Sequence, residues 1–266
     1  MKLTVLGTVS PYLTFSHNGP GFLIEDDVHK VLLDCGSGIT RHLVMPWHLE
    51  NLHVFISHFH RDHYNEIYNI QYASHVYHKL GELNIPVDIH LPSVSMGRFE
   101  DVISEEYAFA NYHKIIDEYA GVQVGNLNVT FCLTGHTTES YAFKVTEGKN
   151  TIVYTSDISY STKDTIVKFA KDADLFICDS SLLESYGHPE INPHITAKQA
   201  ATIAKEANVK QLLLTHFWPM ELQGRYLEEA KHIFDNVKLA EEKIVINFDE
   251  DVLRYQAFLE SRIGGG

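Results

Sequence analysis

Cysteine is scarce in this chain: Cys35, Cys132 and Cys178 are the only three among 266 residues. A count this low and odd, mostly within apolar runs, excludes a disulfide framework and predicts buried free thiols in a reducing compartment. Cations are scarce as well. Lysine and arginine total 21 against 35 aspartates and glutamates, a formal charge of −14. That balance argues against a broad surface for long nucleic acids, which are held by clustered cations neutralising many phosphates. No apolar run approaches the ~20 residues needed to span a bilayer. The opening Met1-Lys2-Leu3-Thr4-Val5-Leu6-Gly7 reads as a strand entering a turn, not as a secretory signal. No linker is evident. The 44% of hydrophobic residues suffices for the core of one α/β domain, and a cytoplasmic protein is expected.

Histidine is plentiful, with 17 residues, and its placement is the main signal. His58-Phe59-His60-Arg61-Asp62-His63 puts four candidate metal ligands directly after the alternating apolar strand Leu52-His53-Val54-Phe55-Ile56. Imidazole and carboxylate are the ligands that zinc and its neighbours take, and a turn at a strand end can aim several into one pocket. A histidine-rich solvated loop is the plain alternative, but partner ligands recur. Val129-Thr130-Phe131-Cys132-Leu133 leads to His136, Thr151-Ile152-Val153-Tyr154 to Asp157, and Gln211-Leu212-Leu213-Leu214 to His216. Strand ends converging on one sheet edge are where α/β proteins place their chemistry. Seven ligand-type residues exceed the three or four that one zinc ion needs, so two ions are the economical account.

These residues, spread over nearly the whole chain, resemble the ligand set of the metallo-β-lactamase superfamily. Leu6-Gly7-Thr8, Leu33-Asp34-Cys35-Gly36 with Gly38 and Arg41, and Leu214-Thr215-His216-Phe217 are similar to its ribonuclease Z and cyclic phosphodiesterase branch. So is His194-Ile195-Thr196-Ala197-Lys198-Gln199-Ala200-Ala201, which resembles that branch's His-x-Thr motif and the following helix. The resemblance implies a four-layer αββα sandwich over residues 1–263, with Gly264-Gly265-Gly266 reading as an expression remnant. It implies His58, His60 and His136 on one metal, Asp62, His63 and His216 on the other, and Asp157 bridging. Zinc is the expected ion, since His60 stands where di-iron relatives carry glutamate; manganese and iron are the alternatives. Such a pair would activate a shared water and neutralise charge on a phosphoryl group.

Beyond the ligands, His194 is expected to bind the phosphoryl group or assist the leaving oxygen, against a plain capping role beside Thr196. Asp62 could shuttle a proton as well as bind metal. Asp34 is the candidate carboxylate that orients a ligating histidine, with a turn-forming Asp as the equal alternative. Arg61 either contacts substrate phosphate or faces solvent, and Thr196 is a further supporting or substrate-side candidate. Asp179-Ser180-Ser181 lacks a nucleophile elbow and reads as pocket wall. Gly36-Ser37-Gly38 lacks the third glycine of a dinucleotide fingerprint and reads as a turn.

The periodicities predict strands near 2–6, 21–25, 29–33, 127–133, 141–145, 151–154, 174–178 and 211–215. They predict helices over much of 64–80 and 99–119 and near 163–170, 196–207 and 223–235, and a closing hairpin at 243–248 and 251–255. Between Asp157 and His194 there is only compact structure, where ribonuclease Z inserts an arm that grips tRNA, and Arg61 replaces that family's usual glycine. The favoured substrate is therefore a small phosphodiester such as a cyclic nucleotide or short oligonucleotide end. A tRNA-processing endonuclease, a lactonase or thioesterase, and a metal- or nucleotide-binding sensor are the alternatives. The aromatic helices between 64 and 119 suggest a homodimer.

Overall fold

The computed structural model describes residues 1–43, 45–93, 96–115, 121–186, 193–249 and 252–257; the terminal Gly264-Gly265-Gly266 lies outside them. In chain order the first half contains β1 (Lys2–Gly7), β2 (Gly21–Glu25), β3 (Lys30–Leu33), α1 (Pro46–Leu49), β4 (Leu52–Phe55), α2 (Arg61–Tyr64), α3 (Ile67–Lys79), β5 (Val87–Pro92), α4 (Met96–Ile103), β6 (Ala110–Ile115) and β7 (Val122–Val124). The second contains β8 (Leu127–Leu133), β9 (Tyr141–Glu147), β10 (Asn150–Tyr154), α5 (Lys163–Phe169), β11 (Leu175–Asp179), α6 (Ala197–Glu206), β12 (Gln211–Thr215), α7 (Gln223–Lys231), β13 (Val237–Leu239), β14 (Ile244–Asp249) and β15 (Val252–Ala257). One sheet runs β15-β14-β1-β2-β3-β4-β5-β6, the other β13-β12-β11-β10-β9-β8-β7.

The apolar runs explain why both faces of each sheet are covered. A strand buried on both faces reads as continuous hydrophobics, and its alternate side chains must go to different cores. In β12, Leu212 and Leu214 pack outward with Ile166, Ala200, Ala204 and Tyr226 of the helical layer, while Leu213 faces the other sheet. In β3, Val31 and Leu33 join Phe55, Phe131, Phe143 and Ile177 between the sheets, and Leu32 turns outward to Ile67 and Ile70 of α3. Three apolar layers between four layers of secondary structure make an αββα sandwich. No helix among the described residues is long and apolar enough to cross a membrane.

The departures from the sequence expectation begin after α3. The helical reading of 99–119 holds for α4, but Ala110–Ile115 is a strand paired in parallel with β5, and residues 116–120 fall outside those described. β6 is an edge strand of its sheet, with Ala110 and Tyr112 half-buried and Asn111 and His113 exposed. A half-covered edge strand carries too few apolar residues for its two-residue period to stand out. β5, β7 and β13 were likewise not anticipated, whereas the helix expected over much of 64–80 is α3.

Parallel pairing is what positions the site. β3, β4, β5 and β6 run parallel, as do β10, β11, β12 and β13. The C-terminal ends of β3 and β4 therefore share one edge of their sheet, and those of β10, β11 and β12 share one edge of theirs. Such edges are where loops can carry chemistry without disturbing the strands.

Candidate metal centre

The loop after β4 delivers His58, His60, Asp62 and His63, the last two on the single turn of α2. It is pinned by the loop after β3: Cys35 N donates to His63 O at 2.7 Å, and Glu66 N to Cys35 O at 3.2 Å. Gly36 permits this, because a Cβ there would fall 2.3 Å from Asp62 O and 2.9 Å from Pro20 N. Three non-glycine residues at strand ends facing the centre have left-handed backbones: Asp34 (φ 61°), Ser156 (φ 51°) and His216 (φ 64°). Each costs on the order of 1 kcal/mol and persists because the surrounding structure fixes it.

All seven predicted ligands come together around Asp157. On one side, Asp157 Oδ2 lies 3.5 Å from His58 Nε2 and 3.4 Å from His136 Nε2, and His136 Nε2 lies 3.2 Å from His60 Nδ1. On the other, Asp157 Oδ1 lies 3.2 Å from His63 Nε2 and 2.8 Å from His216 Nε2. Those two nitrogens are 3.1 Å apart, and Asp62 Oδ2 is 3.5 and 3.9 Å from them. The ligand atoms within each set lie within 4.8 Å of one another.

Hydrogen bonds fix which nitrogen each ring presents. His63 Nδ1 donates to Asp34 Oδ2 at 2.8 Å, His136 Nδ1 to the Pro193 carbonyl at 2.9 Å, and His216 Nδ1 to Ser181 Oγ at 2.7 Å. His58 Nδ1 stands 2.9 Å from Ser57 Oγ. With the Nδ1 atoms of these four rings engaged, their Nε2 atoms face inward, the arrangement of metal-ligating imidazoles, while His60 turns Nδ1 toward His136. Asp34 is wholly buried, at the hub of this support. It also accepts from Ser57 N (2.8 Å), Ser57 Oγ (3.0 Å), Tyr154 Oη (2.9 Å) and Ser156 Oγ (3.2 Å).

The donor set fits cations. His58 Nε2 and Asp157 Oδ1 are buried without a hydrogen-bond partner, the latter near His216 Nε2 but outside hydrogen-bonding geometry. Leaving such atoms unpaired costs about 1–3 kcal/mol each, a cost that coordination would remove. Burial, then the charge of His63, pulls the His58 imidazole down to about 4, keeping its lone pair free. Burial alone would lower His63 too, but Asp157, Asp62 and Asp34 push it well above the ordinary value. Burial would raise Asp157, yet His216, His63 and His58 hold it well below the usual carboxylate range. Negative charge concentrated at one buried point calls for positive charge, and nitrogen-rich donors suit zinc.

His194 stands at the rim, with Nε2 4.0 Å from Asp157 Oδ2 and Nδ1 donating to Asp179 Oδ2 at 2.9 Å. Burial would lower its pKa, but the Asp179 charge and hydrogen bond outweigh burial and push it up to about 9. Asp157, Asp179, His194 and His216 form a third close group. Asp179, His194 and His216 are already hydrogen-bonded here, since Asp179 Oδ2 accepts from His194, Asp179 Oδ1 accepts from Ser181 Oγ at 2.6 Å and Ser181 Oγ accepts from His216. We read it as a hydrogen-bonded support joining His194 to His216. Thr196 caps α6: its Oγ1 accepts from Gln199 N at 3.1 Å, while Gln199 Oε1 accepts from Thr196 N at 2.9 Å. Arg61 is exposed at the first position of α2.

Sequence reasoning placed Asp179 and Ser181 only in the pocket wall and passed over Ser10, Ser57, Tyr154 and Ser156. Ser10 Oγ donates to Asp62 Oδ2 at 2.5 Å. Serine is too common in turns for any of these to stand out. Asp179, at the end of an apolar run, carried the same signal as Asp157.

Comparison with known proteins identifies relatives of the chain. Residues 29–217 match the model of the beta-lactamase superfamily domain. The chain is 29% identical over 236 residues to the probable metallo-hydrolase YhfI of Bacillus subtilis, covering 88% of this chain and 94% of that one. The crystal structure of YhfI superposes with a TM-score of 0.81 at 27% identity, covering 92% of this chain and 98% of that one. Ribonuclease Z of Archaeoglobus fulgidus is 26% identical over 315 residues, covering 94% of this chain and 99% of that protein. That pairing exceeds the 266 residues present here, so the ribonuclease carries segments without counterpart in this chain. Human tRNase Z, short form, shares the fold, with a TM-score of 0.70 at 22% identity over 94% of this chain and 100% of that one.

Proposed function

Since the chain belongs to the metallo-β-lactamase superfamily, within its ribonuclease Z branch, we propose that it is a dinuclear metal-dependent phosphodiesterase acting on small phosphodiesters. The observation that carries the reading is two His/Asp groups meeting on the two oxygens of one buried carboxylate, Asp157, with a further histidine, His194, held beside them by Asp179. His58, His60 and His136 would hold one ion and Asp62, His63 and His216 the other. Two divalent ions, zinc first and manganese or iron as alternatives, would supply the Lewis acidity that activates water and neutralises phosphoryl charge.

The chain's own residues do the rest. Asp34 locks the His63 ring, and Asp179 locks His216 through Ser181 and His194 directly. His194, its Nδ1 engaged, offers Nε2 to the leaving oxygen as proton or hydrogen-bond donor. Asp62, held by Ser10, would accept a proton from the nucleophile. Thr196 fixes the start of α6 just after His194, and Arg61 at the start of α2 is free to approach a substrate phosphate.

Cyclic nucleotides or short oligonucleotide ends are preferred over folded RNA. The chain lacks the additional length of the ribonuclease relative, and its −14 charge offers little to a polyanion. Residues 1–263 are assigned to one domain of this fold, and three buried free cysteines suit a cytoplasmic setting. The test is hydrolysis of a matched panel by zinc- or manganese-loaded protein: bis-p-nitrophenyl phosphate, 2′,3′- and 3′,5′-cyclic nucleotides, a precursor tRNA and a thioester. Cleavage of the small diesters alone supports the proposal. Cleavage of the tRNA moves the assignment to ribonuclease Z, and activity on the thioester alone overturns phosphodiester chemistry.

A further inference from the structure

Exposed aromatic and apolar side chains crowd the two loops that border the metal centre. The loop after β1 is closed by Thr8 N and Val9 N, both donating to Asn18 O at 3.0 and 3.1 Å. It is laced to the segment after β12 by Phe217 N donating to Thr8 O at 2.9 Å and Ser10 N to Phe217 O at 3.1 Å. Ser10 on the first loop reaches Asp62, and His216 on the second faces Asp157. Two residues beyond each of these lie Tyr12 and Trp218. Their rings meet edge to face, centroids 6.2 Å apart at 68°, yet Tyr12 is 49% and Trp218 43% exposed. Leu13 and Met220 beside them are exposed as well.

We propose that Tyr12 and Trp218 form a stacking platform for the nucleobase of a nucleoside phosphodiester whose phosphoryl group lies on the His/Asp centre; the inference rests on the phosphodiesterase reading. Position supports it, since two residues of chain span at most about 7 Å, a reach comparable with that from phosphate to base across one sugar. Chemistry supports it too. A chain with 21 cations against 35 acids has a net charge that does not help to gather an anionic substrate, whereas stacking binds any base through its π-face and needs no cation. Aromatic rings paired edge to face are rigid and keep surface available to a third ring.

The chain has two tryptophans, so in a Trp47→Phe background the fluorescence reports Trp218 alone. Saturable quenching of zinc-loaded protein by AMP, absent with ribose 5-phosphate, is expected. With 2′,3′-cyclic AMP and the base-free glycerol 1,2-cyclic phosphate as substrates, Trp218→Ala and Tyr12→Ala should raise the ratio of their KM values roughly 5- to 150-fold, the range of one lost stacking partner. Trp218→Phe should recover most of the ratio, and kcat should change little. If the wild type cleaves both esters but the variants leave the ratio unchanged, the platform is wrong and the phosphodiesterase stands. If the wild type cleaves neither, both fall. If light scattering shows a dimer that Trp218→Ala turns into monomers, the patch is a subunit interface and the platform is overturned.

Discussion

Replacing Asp34 by Asn exchanges one carboxylate oxygen for an NH2 at the hub of the centre and tests whether this carboxylate orients His63 or only forms a turn. The backbone there is left-handed, φ 61°, a conformation that Asn tolerates as readily as Asp, so the main chain should not move. The side chain has no comparable freedom. It accepts from Ser57 N and His63 Nδ1, both at 2.8 Å, and from the hydroxyls of Ser57, Tyr154 and Ser156. Whichever way the amide is turned, its NH2 meets an N–H: Ser57 N on one side or His63 Nδ1 on the other. One unsatisfied buried donor costs about 1–3 kcal/mol, and loss of an orienting partner typically lowers metal affinity 10–100-fold, about 1.4–2.7 kcal/mol. Chelator competition for zinc measures the affinity, and urea unfolding in excess EDTA measures the stability separately. Zinc affinity within twofold of the parent would refute the role assigned to Asp34 and leave it a turn residue.

His63→Ala and Asp157→Ala should lose bound metal and activity together, whereas His194→Ala should keep both ions by elemental analysis and lose turnover by about 10²–10⁴-fold. Full activity in the last variant would remove His194 from the mechanism. His90, stacked on Phe55 at 4.0 Å and 4% exposed, has its imidazole pulled down to about 2 by burial and then by His113 and His53. The unfolded chain takes up that proton below about pH 6.5 and the folded one does not, so stability falls as pH falls. Between pH 6.5 and 5 this amounts to about 2 kcal/mol; in EDTA-treated protein His90→Phe should flatten the decline by that amount, and an unchanged decline would exclude His90 as its source. Leu213→Ala removes a side chain 1% exposed between the sheets and should cost about 2–5 kcal/mol by denaturant unfolding; a loss below 1 kcal/mol would contradict close packing there.

The seven candidate ligands could be picked out of the sequence because each follows an apolar run, and a strand end fixes where a side chain goes. His58, His60, Asp62 and His63 are neighbours along the chain, so their convergence needed only one turn. His136, Asp157 and His216 repeat the pattern of hydrophobic run followed by ligand, and the doubly buried strands made the sandwich legible through continuous hydrophobics. The His194-x-Thr196 motif was legible by resemblance, though not the carboxylate that holds it. β6 was not legible, because a half-exposed edge strand has too weak a period.

What tertiary structure alone decided is which distant residues touch. Asp179 reaches His194 because Leu182 N donates to Ile195 O and Ala197 N to Leu182 O, which holds the residues before α6 beside the end of β11. It reaches His216 because β11 and β12 pair in parallel with Asp179 opposite Thr215. Ser10 meets Asp62 across 52 residues, and Tyr12 meets Trp218 because Val9 bridges Phe217. Composition and local pattern determine the type of the strongly periodic elements and the residue types at their ends. Contacts between elements depend on strand order and register, which are set by the packing of whole sheets.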